Sequence, residues 1–146
     1  MGRGAKMENL NVDFKLVNQK VQFAAVSSAN PGRPVTMDYV SPLGDGQGFA
    51  GLELLLISFC GCVSTAVVAM LRKAGKNVIA YEGKAVGIRH ENPLSLRKII
   101  FEVQVKSDNI KAEDMEKVLN IASNISPVWL AIRNNVEILT EYRIKS

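Results

Sequence analysis

Apolar residues along this chain follow two patterns: short runs bounded by turn residues, typical of strands, and longer stretches with helical spacing. Gly, Pro, Ser and Asn crowd two of the boundaries, SSANPGR at 27–33 and SPLGDGQGFAG at 41–51. The strand-like runs lie at residues 12–17, 20–26, 34–40, 78–90, 96–105 and 136–144. They predict an N-terminal meander, a later hairpin and a final strand.

The longest apolar stretch predicts a helix over 52–71. No charged residue occurs between Glu53 and Arg72, and the basic pair Arg72-Lys73 followed by Gly75 is a typical helix stop. Two shorter helices are predicted at 111–124 and 127–134. The first has an apolar stripe of Met115, Val118, Leu119 and Ala122, and the second begins with Pro127.

The order of elements therefore predicts an α+β fold: three strands, a long helix, two strands, two short helices and a last strand. We expect one domain over 1–146, because the chain has no repeat, low-complexity tract or linker and its length suits one core. Residues 1–6, MGRGAK, are predicted to be disordered or tag-derived and carry no part of the fold prediction.

The uncharged helix could also be read as a membrane span. Its length is at the lower margin for spanning, and it carries Ser58, Gly61, Ser64 and Thr65. No second hydrophobic span exists. A helix that is apolar all round can equally lie at the centre of a protein, covered by a sheet and by a partner subunit, and we favour that interpretation over membrane insertion.

Charge and composition argue against nucleic-acid binding and against a secreted, disulfide-rich protein. The net charge of +4, with a pI near 9.2, comes from scattered basic residues, so no nucleic-acid-binding face is predicted. The two cysteines, Cys60 and Cys62, are too few for a secreted disulfide scaffold. On a helix they project about 200° apart, so no bond between them is expected. Free thiols suit a reducing compartment, and we predict a cytoplasmic protein.

The sequence contains few residues that could carry out a reaction or bind a metal. A cysteine reacts as its thiolate, which a cation has to stabilise, whereas a buried free cysteine is often only a small hydrophobic residue. His90 is the only histidine and reads as a solvated turn residue. One histidine and two diverging cysteines cannot form a four-ligand zinc site, so no metal is expected. Trp129 is expected to pack in the core or an interface.

The long apolar helix and the order of elements resemble those of a known protein family. Residues 53–73 read ELLLISFCGCVSTAVVAMLRK. The ELLL start, Gly61-Cys62, the Val67-Val68 pair and the basic end resemble the ELLL…GGC…VV…LKK helix of the OsmC/Ohr family. The preceding Gly-rich loop, the following hairpin and the terminal strand occur in the same order. The resemblance covers nearly the whole chain after residue 10.

The resemblance implies an OsmC-like fold with antiparallel sheets wrapped around a long central helix in an intertwined homodimer. It also implies a peroxiredoxin-like hydroperoxide reductase of the oxidative stress response, in which Cys62 is the reactive cysteine. Thiolate attack on an organic hydroperoxide gives sulfenic acid, and a second, resolving cysteine then forms a disulfide that a dithiol reductant restores. An external thiol reductant and no cofactor are therefore expected. No nucleic acid or membrane partner is implied.

The chain departs from the family at one position. The family's resolving cysteine opens a Cys-Pro-Val or Cys-Ser-Val stretch, and the matching segment here begins with Ser126. Three alternatives follow: an external thiol resolves the sulfenic acid, Cys60 participates across the dimer as an auxiliary thiol, or the peroxidase activity is lost. The last alternative is a non-catalytic protein that binds a small apolar ligand at the dimer interface.

The family also implies partners for the thiol. An Arg near the N-terminal hairpin activates the thiolate, and Arg33 is the best-placed match, although an exposed turn Arg is the more frequent case. A helix-start Glu pairs with that Arg in one branch, which suggests Glu53. At about 100° per residue, however, Glu53 lies on the opposite helix face from Cys62. An acid that is simply favoured by the helix dipole explains Glu53 equally well.

Overall fold

The computed structural model describes residues 9–146. The prediction for residues 1–6 therefore lies outside the described residues. The elements follow the predicted order and are β1 (Val12–Leu16), β2 (Phe23–Ser27), β3 (Val35–Met37), α1 (Gly51–Lys73), β4 (Ala80–Glu91), β5 (Leu94–Lys106), α2 (Ala112–Ile125), α3 (Pro127–Ile132) and β6 (Glu137–Lys145). Residue contacts divide the chain into unit 1, which ends at Leu54, and unit 2, which begins at Leu55. That the chain is one domain stays a prediction.

Unit 1 contains the predicted meander, a three-stranded antiparallel sheet in the order β1-β2-β3. One face of β1 is apolar and exposed: Val12, Phe14 and Leu16 are 60%, 71% and 53% accessible. Phe14 contacts Phe23 edge to face at a centroid distance of 6.2 Å. A row of accessible large apolar side chains on one strand is the kind of surface that a partner covers.

The Gly-rich loop that follows β3 is organised by one carboxylate. Asp38 is 5% exposed and accepts hydrogen bonds from the backbone N–H groups of Tyr39, Asp45 and Gln47 at 2.8, 3.2 and 3.0 Å. A side chain at Gly44 would collide with the Tyr39 carbonyl and the Asp38 carboxylate, so only glycine fits there. The loop thus depends on an ionised Asp38.

These bonds give the protein a pH-dependent stability. The hydrogen bond from Gln47, followed by those from Tyr39 and Asp45 and the charge of Lys20, lowers the pKa of Asp38 despite its burial. A lowered folded pKa contributes stability that is present above the unfolded value, about 3.9, and is lost as pH falls through the folded value. We expect Asp38→Asn to lower the melting temperature at pH 7, and the difference from wild type to shrink between about pH 5 and pH 3.

Thermal unfolding followed by circular dichroism across that pH range checks this expectation. Asp13→Asn on the exposed strand β1 is the matched control, since it removes the same charge without the three backbone bonds. A melting-temperature difference for Asp38→Asn that stays constant with pH would contradict the assignment.

Unit 2 contains a sheet in the order β4-β5-β6. The long β4–β5 hairpin is antiparallel, with Ala80 opposite Lys106 and Glu91 opposite Leu94. Strand β6 runs parallel to β5, which corrects the expectation that both sheets are entirely antiparallel. The reason is topological: α2 and α3 lie between β5 and β6, and a helical crossover returns the chain in the same direction.

Helix α1 buries one stripe of residues, namely Phe59, Val63, Val67 and Leu71. The Phe59 ring packs edge to face on Phe101 of β5, with the centroids 5.5 Å apart, and lies 5.4 Å from Trp129. Trp129 is 8% exposed, as expected for a core residue. Gly75 has a positive φ of 77° and ends the helix as predicted.

The remaining helices follow the sequence pattern closely. The predicted stripe of α2, Met115, Val118, Leu119 and Ala122, is buried. Acidic Glu113 and Asp114 lie in its first turn, where the helix dipole favours them. Helix α3 begins at Pro127, whose missing N–H costs nothing in a first turn.

The opposite face of α1 is uncovered in the single chain. Ile57, Gly61, Thr65 and Ala69 recur at every fourth position and are exposed. By length and composition α1 is also a helix that could cross a membrane: its best 18-residue window has a mean hydropathy of 2.4, and 22% of that window is buried. One such helix is weak evidence for a membrane span, because the core helix of a soluble protein passes the same test.

Candidate functional site

Unit 2 places the two predicted site residues Cys62 and Ser126 in direct contact. The Ser126 hydroxyl donates a hydrogen bond to Cys62 Sγ at 3.1 Å. Ser126 is 1% exposed, whereas Cys62 is half-buried. The position that the resemblance assigns to a resolving cysteine is therefore next to the thiol, but it holds an oxygen instead of a sulfur.

The chain holds Ser126 in place through the junction of two helices. Its backbone N–H donates to the Ala122 carbonyl at 2.9 Å and ends α2, while its carbonyl accepts the N–H of Leu130 at 2.9 Å in α3. Pro127 follows at the first position of α3, where its fixed φ suits a helix start. Both backbone groups of Ser126 are thus satisfied, and its hydroxyl is left to contact Cys62.

Cys60 lies on another side of α1, as the helix geometry predicts. Its neighbour one turn on, Ser64, forms a hydrogen bond with the Tyr81 hydroxyl at 2.9 Å, which places this side of the helix against β4. Burial raises the pKa of the Cys60 thiol. Burial also raises the pKa of Tyr81, and the nearby Cys60 charge adds to that rise. Cys60 is therefore held in the protonated form, which is a poor nucleophile.

Two further predicted site residues, Arg33 and Glu53, belong to unit 1. Arg33 is exposed in the turn between β2 and β3, and its guanidinium makes no ion pair within residues 9–146. Glu53 Oε1 accepts the backbone N–H of Ala50 at 2.9 Å, at the start of α1. That bond is one half of a helix capping box, so Glu53 has a local structural role. Catalytic roles for both residues stay predictions.

The other chemically interesting residue is His90, which is exposed at the end of β4. Among the described residues, no group of three or more His, Cys, Asp or Glu side chains could hold a metal ion. That sulfur carries the chemistry stays a prediction.

Sequence reasoning missed two features of unit 2. It treated Ser126 only as a lost cysteine, although a serine hydroxyl can donate a hydrogen bond to a thiolate. It also missed the Ser64–Tyr81 bond, because the register that brings β4 to this side of α1 is a tertiary property. The strand-like run at residues 78–90 predicted a strand but not the helix face against which it packs.

Comparison with known proteins bears on this site. The model of the OsmC-like protein family matches residues 44–141, which include Cys62 and Ser126 but not Arg33. The chain belongs to the OsmC-like protein family. Among curated protein sequences, none matches it.

Solved structures of OsmC-like proteins share the fold. The OsmC-like protein from Mycoplasma pneumoniae has a TM-score of 0.81 at 17% identity, covering 95% of this chain and 99% of that one. An organic hydroperoxide resistance protein from Legionella pneumophila has a TM-score of 0.74 at 11% identity, covering 95% and 99%. One from Elizabethkingia anophelis has a TM-score of 0.70 at 15% identity, covering 94% and 97%.

Proposed function

We propose that this OsmC-like protein is a thiol-dependent peroxidase that reduces organic hydroperoxides at Cys62. The observation that carries the proposal is the half-buried Cys62 thiol, which accepts a hydrogen bond from the buried Ser126 hydroxyl. Family membership and the solved organic hydroperoxide resistance proteins with the same fold support this activity.

The surroundings of Cys62 suit an apolar peroxide. On α1 the neighbours Phe59 and Val63 are apolar core residues, and Trp129 lies against Phe59. An alkyl group that packs on apolar surface beside the thiol would contribute about 0.8 kcal/mol for each methylene it buries. In the reaction, Cys62 thiolate attacks the terminal peroxide oxygen, the O–O bond breaks, and the alkoxide leaves as an alcohol after taking a proton. Cys62 becomes a sulfenic acid.

The second half-reaction requires two electrons from outside the chain. No cofactor is needed for this, because a thiol reductant supplies the electrons through sulfur exchange. Cys60 is a poor substitute, since its pKa is raised and it lies on another side of α1. We propose a cytoplasmic location, because a reactive cysteine that forms no disulfide needs a compartment in which thiols are kept reduced.

Arg33 is proposed as the cation that stabilises the thiolate, and Glu53 as its orienting acid. The resemblance assigns this role to an Arg near the N-terminal hairpin, and the Arg33 guanidinium makes no ion pair within residues 9–146 that would compete with it. Glu53 already accepts the Ala50 N–H, so an orienting role would have to use its second oxygen.

A homodimer is the proposed assembly. The uncovered face of α1, defined as Ile57, Gly61, Thr65 and Ala69, carries no charge, and its small residues let a second helix approach closely. Unit 1 adds the exposed apolar face of β1. Apolar surface of this extent is the usual mark of a protein interface. A second copy of the chain is the proposed occupant of the uncovered face of α1.

The peroxidase proposal is tested by trapping the oxidised sulfur. One equivalent of cumene hydroperoxide followed by dimedone is expected to label Cys62 as a sulfenic acid, with Cys60 unlabelled, as located by peptide mass spectrometry. Label on Cys60 alone, or on neither residue, would contradict the proposal.

The same assay tests Arg33. Losing a stabilising cation from a thiolate is expected to slow labelling of Cys62 in Arg33→Gln by about ten- to a hundredfold. Arg89→Gln, on the exposed end of β4, is the matched control and should label at the wild-type rate. Equal rates in both variants would leave another arginine as the activator and remove Arg33 from the site.

A second function is favoured by one observation, the oxygen in place of the resolving sulfur at Ser126. On that ground the chain would bind a small apolar ligand at the dimer interface without catalysis. The trapping experiment separates the two functions, because a binding protein gives no sulfenic acid above the level of a free thiol exposed to the same peroxide.

A further inference from the structure

We propose that Cys62 works as a single-cysteine centre, whose sulfenic acid is resolved by a low-molecular-weight monothiol through a mixed disulfide. The inference rests on the proposed peroxidase function and names the partner of its second half-reaction. Its basis is the contact of 3.1 Å between Ser126 Oγ and Cys62 Sγ, with Ser126 only 1% exposed.

Ser126 occupies the place from which a neighbouring side chain would resolve the sulfenic acid. A hydroxyl there can donate a hydrogen bond to the oxidised sulfur, but it cannot form a disulfide with it. Since Ser126 is buried and both its backbone groups are bonded, it does not move aside for a sulfur from elsewhere in the chain.

Cys60 does not fill that role. Within one helix the two sulfurs project about 200° apart. The attacking species in thiol exchange is the thiolate, and burial raises the pKa of Cys60, which keeps it protonated near neutral pH. The raised pKa makes Cys60 an equally poor attacker of the Cys62 of a second subunit.

The position of Cys62 selects for a small reductant. The thiol is half-buried near the middle of the 23-residue helix α1. A resolving thiol has to approach the sulfur along the S–O bond, and a folded dithiol protein would have to insert its own cysteine beside a helix and a buried Ser126. A cysteine or a short cysteine-containing peptide needs far less room beside the half-buried sulfur.

Two molecules of monothiol return the Cys62 sulfenic acid to the thiol. The monothiol attacks the Cys62 sulfur, an S–S bond forms, the S–O bond breaks, and the hydroxide takes the monothiol's proton to leave as water. A second monothiol then attacks the outer sulfur, which releases Cys62 as a thiol and a small disulfide. One hydroperoxide is reduced by two electrons, and two monothiols are oxidised.

Intact-protein mass spectrometry tests the inference. Wild-type protein treated with one equivalent of cumene hydroperoxide and then cysteine is expected to carry one cysteine as a mixed disulfide on Cys62, which excess cysteine removes. In Ser126→Cys, the new thiol lies beside Cys62 and should close an intramolecular disulfide. The mixed disulfide should then fall by about tenfold or more at about 0.1 mM cysteine, because a tethered thiol has an effective concentration in the millimolar range.

Ser123→Cys is the matched control, since it adds a cysteine one turn earlier on α2, where the native hydroxyl donates to Asn120 and not to Cys62. This variant should form the wild-type amount of mixed disulfide. If Ser126→Cys fails to fold, the wild-type mixed disulfide decides the question alone.

The outcomes separate this inference from the function on which it rests. Sulfenic acid that forms on Cys62 but reacts only with a protein dithiol, with no mixed disulfide to cysteine, would overturn the monothiol and leave the peroxidase intact. A disulfide between Cys60 and Cys62 of two subunits would do the same. Absence of any sulfenic acid would overturn both.

Discussion

Replacement of Cys62 by serine is expected to reduce hydroperoxide consumption by about a thousandfold or more, to the level of the uncatalysed reaction with the reductant. The substitution changes one atom, and the Ser126 hydroxyl can still form a hydrogen bond at the same place. Folding should therefore be preserved, while the nucleophile is lost, because a serine hydroxyl stays protonated and does not attack the peroxide bond. Loss of cumene hydroperoxide in the presence of cysteine measures the rate.

Cys60→Ser is the matched control for this experiment. It removes the other free thiol of the same helix, whose pKa burial raises and which lies on the side of Ser64 and Tyr81. We expect its rate to stay within about twofold of wild type, because a protonated thiol contributes little to thiol chemistry. If Cys62→Ser kept a tenth of the activity while Cys60→Ser lost it, the assignment of the reactive sulfur would be reversed.

Most of the fold could be predicted because its signals are local. The apolar stripe of α2 and the Gly75 stop of α1 depend on residue spacing and backbone conformation within a few residues. The parallel pairing of β6 with β5 could not be predicted in this way. The helical crossover through α2 and α3 sets the direction of β6, but its pairing with β5 depends on how these helices pack across the sheet, and the residues of β6 do not determine that packing.

The site was predictable only in part, for a similar reason. Spacing on one helix was enough to show that Cys60 and Cys62 diverge, and the structure places them on different sides of α1. The contact between Cys62 and Ser126 joins residues 64 positions apart. It depends on where the α2–α3 junction is placed in the fold, and only the resemblance to a family pointed to that position. Arg33 has no such contact in unit 1, so its role depends on experiment alone.

A charge introduced on the uncovered face of α1 is expected to dissociate the proposed homodimer. Thr65 lies in the middle of that face, and its hydroxyl donates a hydrogen bond to the Gly61 carbonyl at 2.7 Å, so the polar group is satisfied within the helix. In the proposed homodimer, Thr65→Arg would place a guanidinium between the α1 helices of the two subunits. An unpaired buried charge costs about 3 to 5 kcal/mol, which raises the dissociation constant of the dimer by more than about a hundredfold.

Light scattering after size exclusion distinguishes the forms, because one chain has a mass of 16.0 kDa and a dimer twice that. Thr65→Ser is the matched control: it keeps the hydroxyl and a small side chain, and it should stay dimeric. Wild-type protein that is recovered only in detergent would instead assign the uncovered face of α1 to a membrane.

The charge acts on the interface and not on the core, because the buried stripe of Phe59, Val63, Val67 and Leu71 lies on the other side of the helix. Thr65→Arg should therefore give a folded monomer, and unfolding without dissociation would show that this face packs inside the chain and not against a second copy.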